Sequence, residues 1–123
     1  MALVEEELSE KVIGCCIRVH RELGPGFLEK VYEEATAHEL AASRLNYAQQ
    51  HLLRIHFRGI VVGEHRLDLF VENRLVLELK AARSIEDVHL ATTLSYLKAS
   101  GAQIGLVVNF ATARLQVRRV VKT

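Results

Sequence analysis

The sequence predicts an α/β protein of the α+β kind, ordered helix, helix, three strands, helix, two strands, and three observations carry that prediction. Apolar residues recur at three- and four-residue steps as far as about residue 43 and again over residues 85–100, the spacing of one helix face. From Tyr47 the composition turns to alternating and β-branched residues, the pattern of strands. The stretch from Asp68 to Lys80, DLFVENRLVLELK, sets Asp68, Glu78 and Lys80 among the most apolar residues of the chain.

Leu8, Val12, Cys15, Val19 and Leu23 give residues 4–23 one apolar stripe, and Glu5, Glu6 and Glu7 suit the positive end of a helix dipole. Gly24, Pro25 and Gly26 stop this helix, because proline lacks the amide hydrogen that continues the ladder and glycine accepts the left-handed cap. In a second helix over residues 27–43, Leu28, Val31, Ala35 and Leu40 are the apolar side, and Glu29, Tyr32 and Glu33 share a face. Strands are expected over residues 48–57, 61–71 and 75–81, turned at Arg58-Gly59 and at Glu72 to Arg74. Ser84 with Asp87 is a capping-box variant opening a third helix over residues 85–100, closed by Gly101. His89, Thr92 and Tyr96 form one stripe of that helix. Residues 104–110 read as a strand buried on both faces, and residues 115–121 as a more charged final strand.

A length of 123 residues predicts one domain with a substantial core. Half the residues are apolar and 25% are charged, the balance of a water-soluble globular protein. Lys and Arg total 16 against 15 Asp and Glu, a net charge of +1, so the basic excess of many nucleic-acid binders is missing. The local cluster of Arg114, Arg118, Arg119 and Lys122 reads first as a solvated edge strand. Adjacent Cys15 and Cys16 offer neither a disulfide framework nor the spaced pairs of a zinc site, which fits a reducing, cytoplasmic setting. No apolar run approaches the roughly 18 residues that span a bilayer, so no membrane association is expected.

Buried charges require partners, so two carboxylates and an amine gathered in an apolar hairpin imply mutual pairing or a bound cation. Along residues 75–81 the alternation turns Leu75, Leu77 and Leu79 one way and Val76, Glu78 and Lys80 the other. If the loop has three residues, Glu72 to Arg74, Val71 faces Leu75 and Asp68 faces Glu78; a two-residue loop puts Asp68 on the other face. A structural charge cluster with Lys80 bridging both carboxylates satisfies the same pattern. The six histidines are too scattered for a zinc motif, and neither a glycine-rich phosphate loop nor a serine-nucleophile motif is present.

This order of elements, with an acidic residue on an early helix, Asp68 in the second strand and Glu78-x-Lys80 in the third, resembles the PD-(D/E)XK nuclease superfamily. Gly26, Glu29 and Tyr32 within VHRELGPGFLEKVYEEA, followed by LDLFVENRLVLELKA and LSYLKASGAQIGLVVNF, resemble the GxxExxY family of small prokaryotic proteins placed in that superfamily. The resemblance spans most of the chain. It implies a restriction-endonuclease-like core, a central mixed sheet of about five strands flanked by helices, and metal-dependent hydrolysis of phosphodiesters in DNA or RNA. By the same resemblance, Asp68, Glu78 and the backbone carbonyl of Leu79 hold Mg²⁺ or Mn²⁺, and Lys80 orients or deprotonates the attacking water. Glu29 ligates the metal or positions a water, while Tyr32, His20, Thr92 and Tyr96 support the site or substrate. Relatives commonly carry glutamine where this chain has Thr92, a departure that bears on catalysis. The alternative is a non-catalytic nucleic-acid- or protein-binding module that retains the fold. A nuclease this small also suggests a homodimer able to embrace a duplex.

Overall fold

The computed structural model describes residues 5–123. The first helix, α1 (Glu6–Leu23), starts at a left-handed Glu5 and ends at Gly24, whose N–H bonds the carbonyl of His20. The expected start of this helix at Val4 lies outside the described residues. The second, α2 (Glu29–Ala42), begins two residues later than the periodicity suggests. Leu28 is extended, and the amide of Phe27 donates to the Tyr32 hydroxyl instead of entering a helical turn.

Strand β1 (Tyr47–Phe57) then pairs antiparallel with β2 (Ile60–Val71) through a two-residue turn in which Arg58 and Gly59 both have positive φ. That conformation matches the right-handed twist of a hairpin. From β2 the chain enters β3 (Leu75–Lys80) through the three-residue loop Glu72 to Arg74, with Val71 facing Leu75. Left-handed Glu72 and Asn73 make the bend, and the Glu72 carboxylate accepts a bond from the Asn46 amide.

Helix α3 (Asp87–Ser100) is capped by Glu86 and His89, rather than by the expected Ser84 and Asp87. Glu86 accepts the His89 amide while its own N–H donates to His89 Nδ1 at 2.9 Å. The chain returns as β4 (Ile104–Asn109), buried throughout and parallel to β3, and finishes as β5 (Gln116–Val121) on the sheet edge. The order across the sheet is β1-β2-β3-β4-β5, mixed and five-stranded, as expected.

Two apolar clusters lie on opposite faces of the sheet. Beneath α1 and α2, Val12, Cys15, Tyr32 and Leu40 meet Leu69, Leu77, Leu79, Ile104, Leu106 and Phe110. Beneath α3, Leu97 meets Leu53, Leu67, Phe70, Val76 and Val107. Each buried leucine side chain removed from water contributes about 1.5–3 kcal/mol, so strands β3 and β4, buried throughout except for the half-buried Lys80, anchor the fold and hold whatever polar groups they carry. Among the described residues, no helix is long and apolar enough to cross a membrane.

Candidate active site on the central hairpin

The ladder between β2 and β3 is regular from Val71↔Leu75 to Leu69↔Leu77 and then gives way to side chains. The Asp68 amide donates to Glu78 Oε2 at 2.9 Å, and the Leu79 amide donates to Asp68 Oδ2 at 2.8 Å. Each of these amides is thus taken by a side-chain carboxylate of the other strand and not by a backbone carbonyl. Two acids are fixed by main-chain donors, each through one of its oxygens.

On the other side of β2, Gln49↔Leu69 and His51↔Leu67 flank Gln50, which lies opposite Asp68 with φ of 52°. A left-handed residue that is not glycine is costly in a strand, and here it reverses the side-chain alternation. Gln49 reaches Glu33 and Glu34 on α2, whereas His51 rests against Phe70 on the α3 side. Leu69 likewise belongs to the α1–α2 cluster and Leu67 to the α3 cluster. Gln50 itself donates to Glu33 Oε1 at 2.7 Å and to Asp68 Oδ1 at 3.5 Å, linking α2 to the hairpin.

Charge is concentrated at this break. Glu78 is 6% exposed, and burial, reinforced by the nearby Asp68, pushes its pKa from an ordinary 4.5 up to about 8. Burial also raises Asp68, against the stabilising bond from the Leu79 amide. Glu29, at the start of α2, is raised by burial of its carboxyl and by Asp68, with Lys80 and a backbone bond from Ala81 pulling the other way. Lys80 opposes the shift of all three acids. The structure therefore brings Glu29, Asp68, Glu78 and Lys80 into one electrostatic neighbourhood drawn from α2, β2 and β3. Asp68 also lines an open cleft of about 480 Å³ with Gln50, Leu52, Glu64, His65 and Arg66.

The remaining expected site residues divide. Tyr96 does reach this neighbourhood: burial raises its pKa first, then the charges of Glu78 and Asp68, and its hydroxyl lies 3.1 Å from His65 Nδ1. Tyr32 does not present its hydroxyl to the acids. It is fully buried, stacks on Phe110 at 4.6 Å, donates to the Gly24 carbonyl at 2.6 Å and accepts from Phe27, so it fastens the α1–α2 loop. His20 donates through Nε2 to the Thr112 carbonyl at 2.9 Å, tying α1 to the β4–β5 connection. Thr92 is exposed on α3, while its neighbour Thr93 is buried with its hydroxyl donating to the His89 carbonyl. Gln50, Glu33 and His65 are the polar residues that sequence reading leaves out of the site. Glu33 shares the α2 face of Glu29 and Tyr32 in the sequence pattern, whereas nothing in that pattern marks Gln50 or His65.

A divalent cation suits the donor chemistry. Three carboxyls with raised pKa face a single ammonium, and hard cations take carboxylate and carbonyl oxygens. The Leu79 N–H points to β2, so its carbonyl shares that edge, whereas the next carbonyl, of Lys80, is taken by the Phe110 amide toward β4. Among the described residues, no three His, Cys, Asp or Glu side chains stand together as a ready-made metal cluster.

Acids exchanged across a parted hairpin, followed by a lysine two residues on and backed by a helix-borne glutamate, define a nuclease-type fold. The chain belongs to the PD-(D/E)XK nuclease superfamily, whose family model matches residues 6–120. Among solved structures, SSO0001 is similar to it in fold, with a TM-score of 0.60 at 19% identity over 76% of this chain and 49% of that one. The chain thus spans about half the length of SSO0001. No curated protein matches it significantly.

Proposed function

We propose that the protein is a metal-dependent nuclease of the GxxExxY type, hydrolysing phosphodiester bonds of DNA or RNA. The observation that carries this reading is the reciprocal exchange in which Asp68 and Glu78 each take a main-chain N–H of the opposite strand. It holds two acids beside Lys80, with Glu78 Oε1 outside the exchange and Asp68 Oδ1 held only by a long 3.5 Å bond from Gln50. Asp68, Glu78 and the Leu79 carbonyl are the ligands for Mg²⁺ or Mn²⁺. Such a cation, when bound, acts as a Lewis acid on the phosphoryl oxygens and lowers the pKa of a bound water.

Lys80 orients the attacking water and offsets the charge that grows on the phosphate. Glu29 ligates the metal or positions the attacking water, whose proton is lost to solvent as its oxygen bonds to phosphorus. The bond from phosphorus to the leaving oxygen breaks, and that oxygen collects a proton from solvent. Arg66, which lines the cleft beside Asp68, supplies positive charge for the nucleic-acid backbone.

The test is cleavage of single- and double-stranded DNA and RNA by the purified protein with Mg²⁺ or Mn²⁺, and with chelator. Cleavage should need the metal and should fall by about 10²-fold or more in Lys80→Ala and in Asp68→Asn. Equal cleavage by wild type and Lys80→Ala would sink the catalytic assignment. A second reading, a binding module that keeps the nuclease fold, is favoured by the exposed Thr92 at the position where relatives commonly carry glutamine. It predicts nucleic-acid binding that is indifferent to Lys80→Ala and to chelator.

A further inference from the structure

His65, on β2 three residues before Asp68, has an unusual setting. Its ring is locked: it stacks on Tyr96 with centroids 3.9 Å apart and 17° between planes, and Nδ1 lies 3.1 Å from the Tyr96 hydroxyl. The other nitrogen, Nε2, is buried and has no hydrogen-bond partner among the described residues. Buried ring nitrogens without partners are rare, because leaving one unsatisfied forfeits its hydration. This one is directed at Glu78 Oε1, 3.8 Å away. Oε1 is the oxygen left over when Oε2 accepts the Asp68 amide.

The distance bears on what can sit between them. At 3.8 Å the pair is too far apart for a direct hydrogen bond, which ends near 3.2 Å. It is too close for a water bridging at tetrahedral angles, whose two bonds of about 2.8 Å would hold the ends roughly 4.6 Å apart. Two metal–ligand bonds of about 2.1 Å span about 3.0 Å at octahedral and about 3.4 Å at tetrahedral angles, so one ion fits between nitrogen and oxygen when the pair closes by a few tenths of an ångström. The Tyr96 hydroxyl, able to accept from Nδ1–H, is the kind of outer partner that a ligating histidine usually has.

We propose that His65 Nε2 is a nitrogen ligand to the cation of the Asp68–Glu78 site, and that it makes this site prefer imidazole-seeking transition ions such as Co²⁺ over Mg²⁺. The inference rests on the cation-binding reading of Asp68 and Glu78. It adds to an otherwise all-oxygen set a donor that suits borderline metals and is poor for Mg²⁺. Among the described residues no three such side chains already stand together, so binding of the ion has to draw these donors in.

The experiment is calorimetric titration of wild type, His65→Ala, Tyr96→Phe and Asp68→Asn with Mg²⁺, Mn²⁺ and Co²⁺, with pulsed electron paramagnetic resonance on the Mn²⁺ samples. Circular dichroism checks that each variant folds. The wild-type Mn²⁺ signal should show coupling to a ligand ¹⁴N, absent in His65→Ala. Loss of His65 should weaken Co²⁺ by about tenfold or more while changing Mg²⁺ little, with a smaller Co²⁺ loss in Tyr96→Phe. If wild type binds Mn²⁺ without ¹⁴N coupling and His65→Ala binds all three ions as wild type does, His65 is not a ligand. Loss of every ion in Asp68→Asn would leave the cation reading standing in that case. If wild type binds none of the three, both readings fall.

Discussion

Tyr32 shows what a single side chain decides here. Its face-sharing with Glu29 and Glu33 suggests a site residue, yet the ring is buried on Phe110 and the hydroxyl closes the loop between α1 and α2. Tyr32→Phe should keep the stack and leave the Gly24 carbonyl and Phe27 amide without that partner, costing about 1–2 kcal/mol in denaturant unfolding. Metal binding should be unchanged in this variant. At this scale Asp68, Glu78 and Lys80 were legible because charge inside an apolar run has few explanations. Gln50 was not: a left-handed backbone leaves no mark on a sequence unless glycine supplies it. His65 was hidden by numbers, one of six scattered histidines until the fold places it beside Glu78.

At the scale of elements, the order of helices and strands follows from periodicity and turn residues, and the structure matches it closely. The ends moved where a local bond outweighed the pattern. Thus α2 starts at Glu29 because Phe27 is held by Tyr32, and α3 starts at Asp87 because His89 completes a cap with Glu86. Pattern alone is equally silent on how closely elements approach. Gly105 on β4 lies under α3, and a Cβ there would sit 2.7 Å from Thr93 Cγ2 and 3.5 Å from Leu97 Cδ2. Gly105→Ala should therefore push α3 away from the sheet and cost about 1–3 kcal/mol, read as a lower midpoint in chemical denaturation. Because Tyr96 rides on α3, the same change should loosen its stack on His65.

The whole molecule carries an acidic site whose protonation is linked to folding. Glu78 titrates near 4.5 when unfolded and near 8 when folded. A carboxyl whose pKa rises on folding stabilises the fold in its protonated form. That contribution is complete below about pH 4.5 and is lost as pH climbs through about 8. Asp68 and Glu29 act in the same sense, while His65, held below its ordinary pKa chiefly by burial, acts in the opposite one. In chelator, scanning calorimetry should show the wild-type Tm falling across this window relative to that of Glu78→Gln, in which the falling component is removed. The reversed alternation at Gln50 and Asp68 has a mechanical consequence for the same molecule. At its open end the β1–β2 hairpin reaches both clusters, Leu69 and Val71 toward α1 and α2 and Phe70 toward α3; past the reversal Leu67, Leu53 and Ile55 join the α3 cluster, and the tip from Phe57 to Val62 is exposed. The hairpin is a rivet through the sheet, so neither hydrophobic layer can peel away without loosening the acids where it passes through.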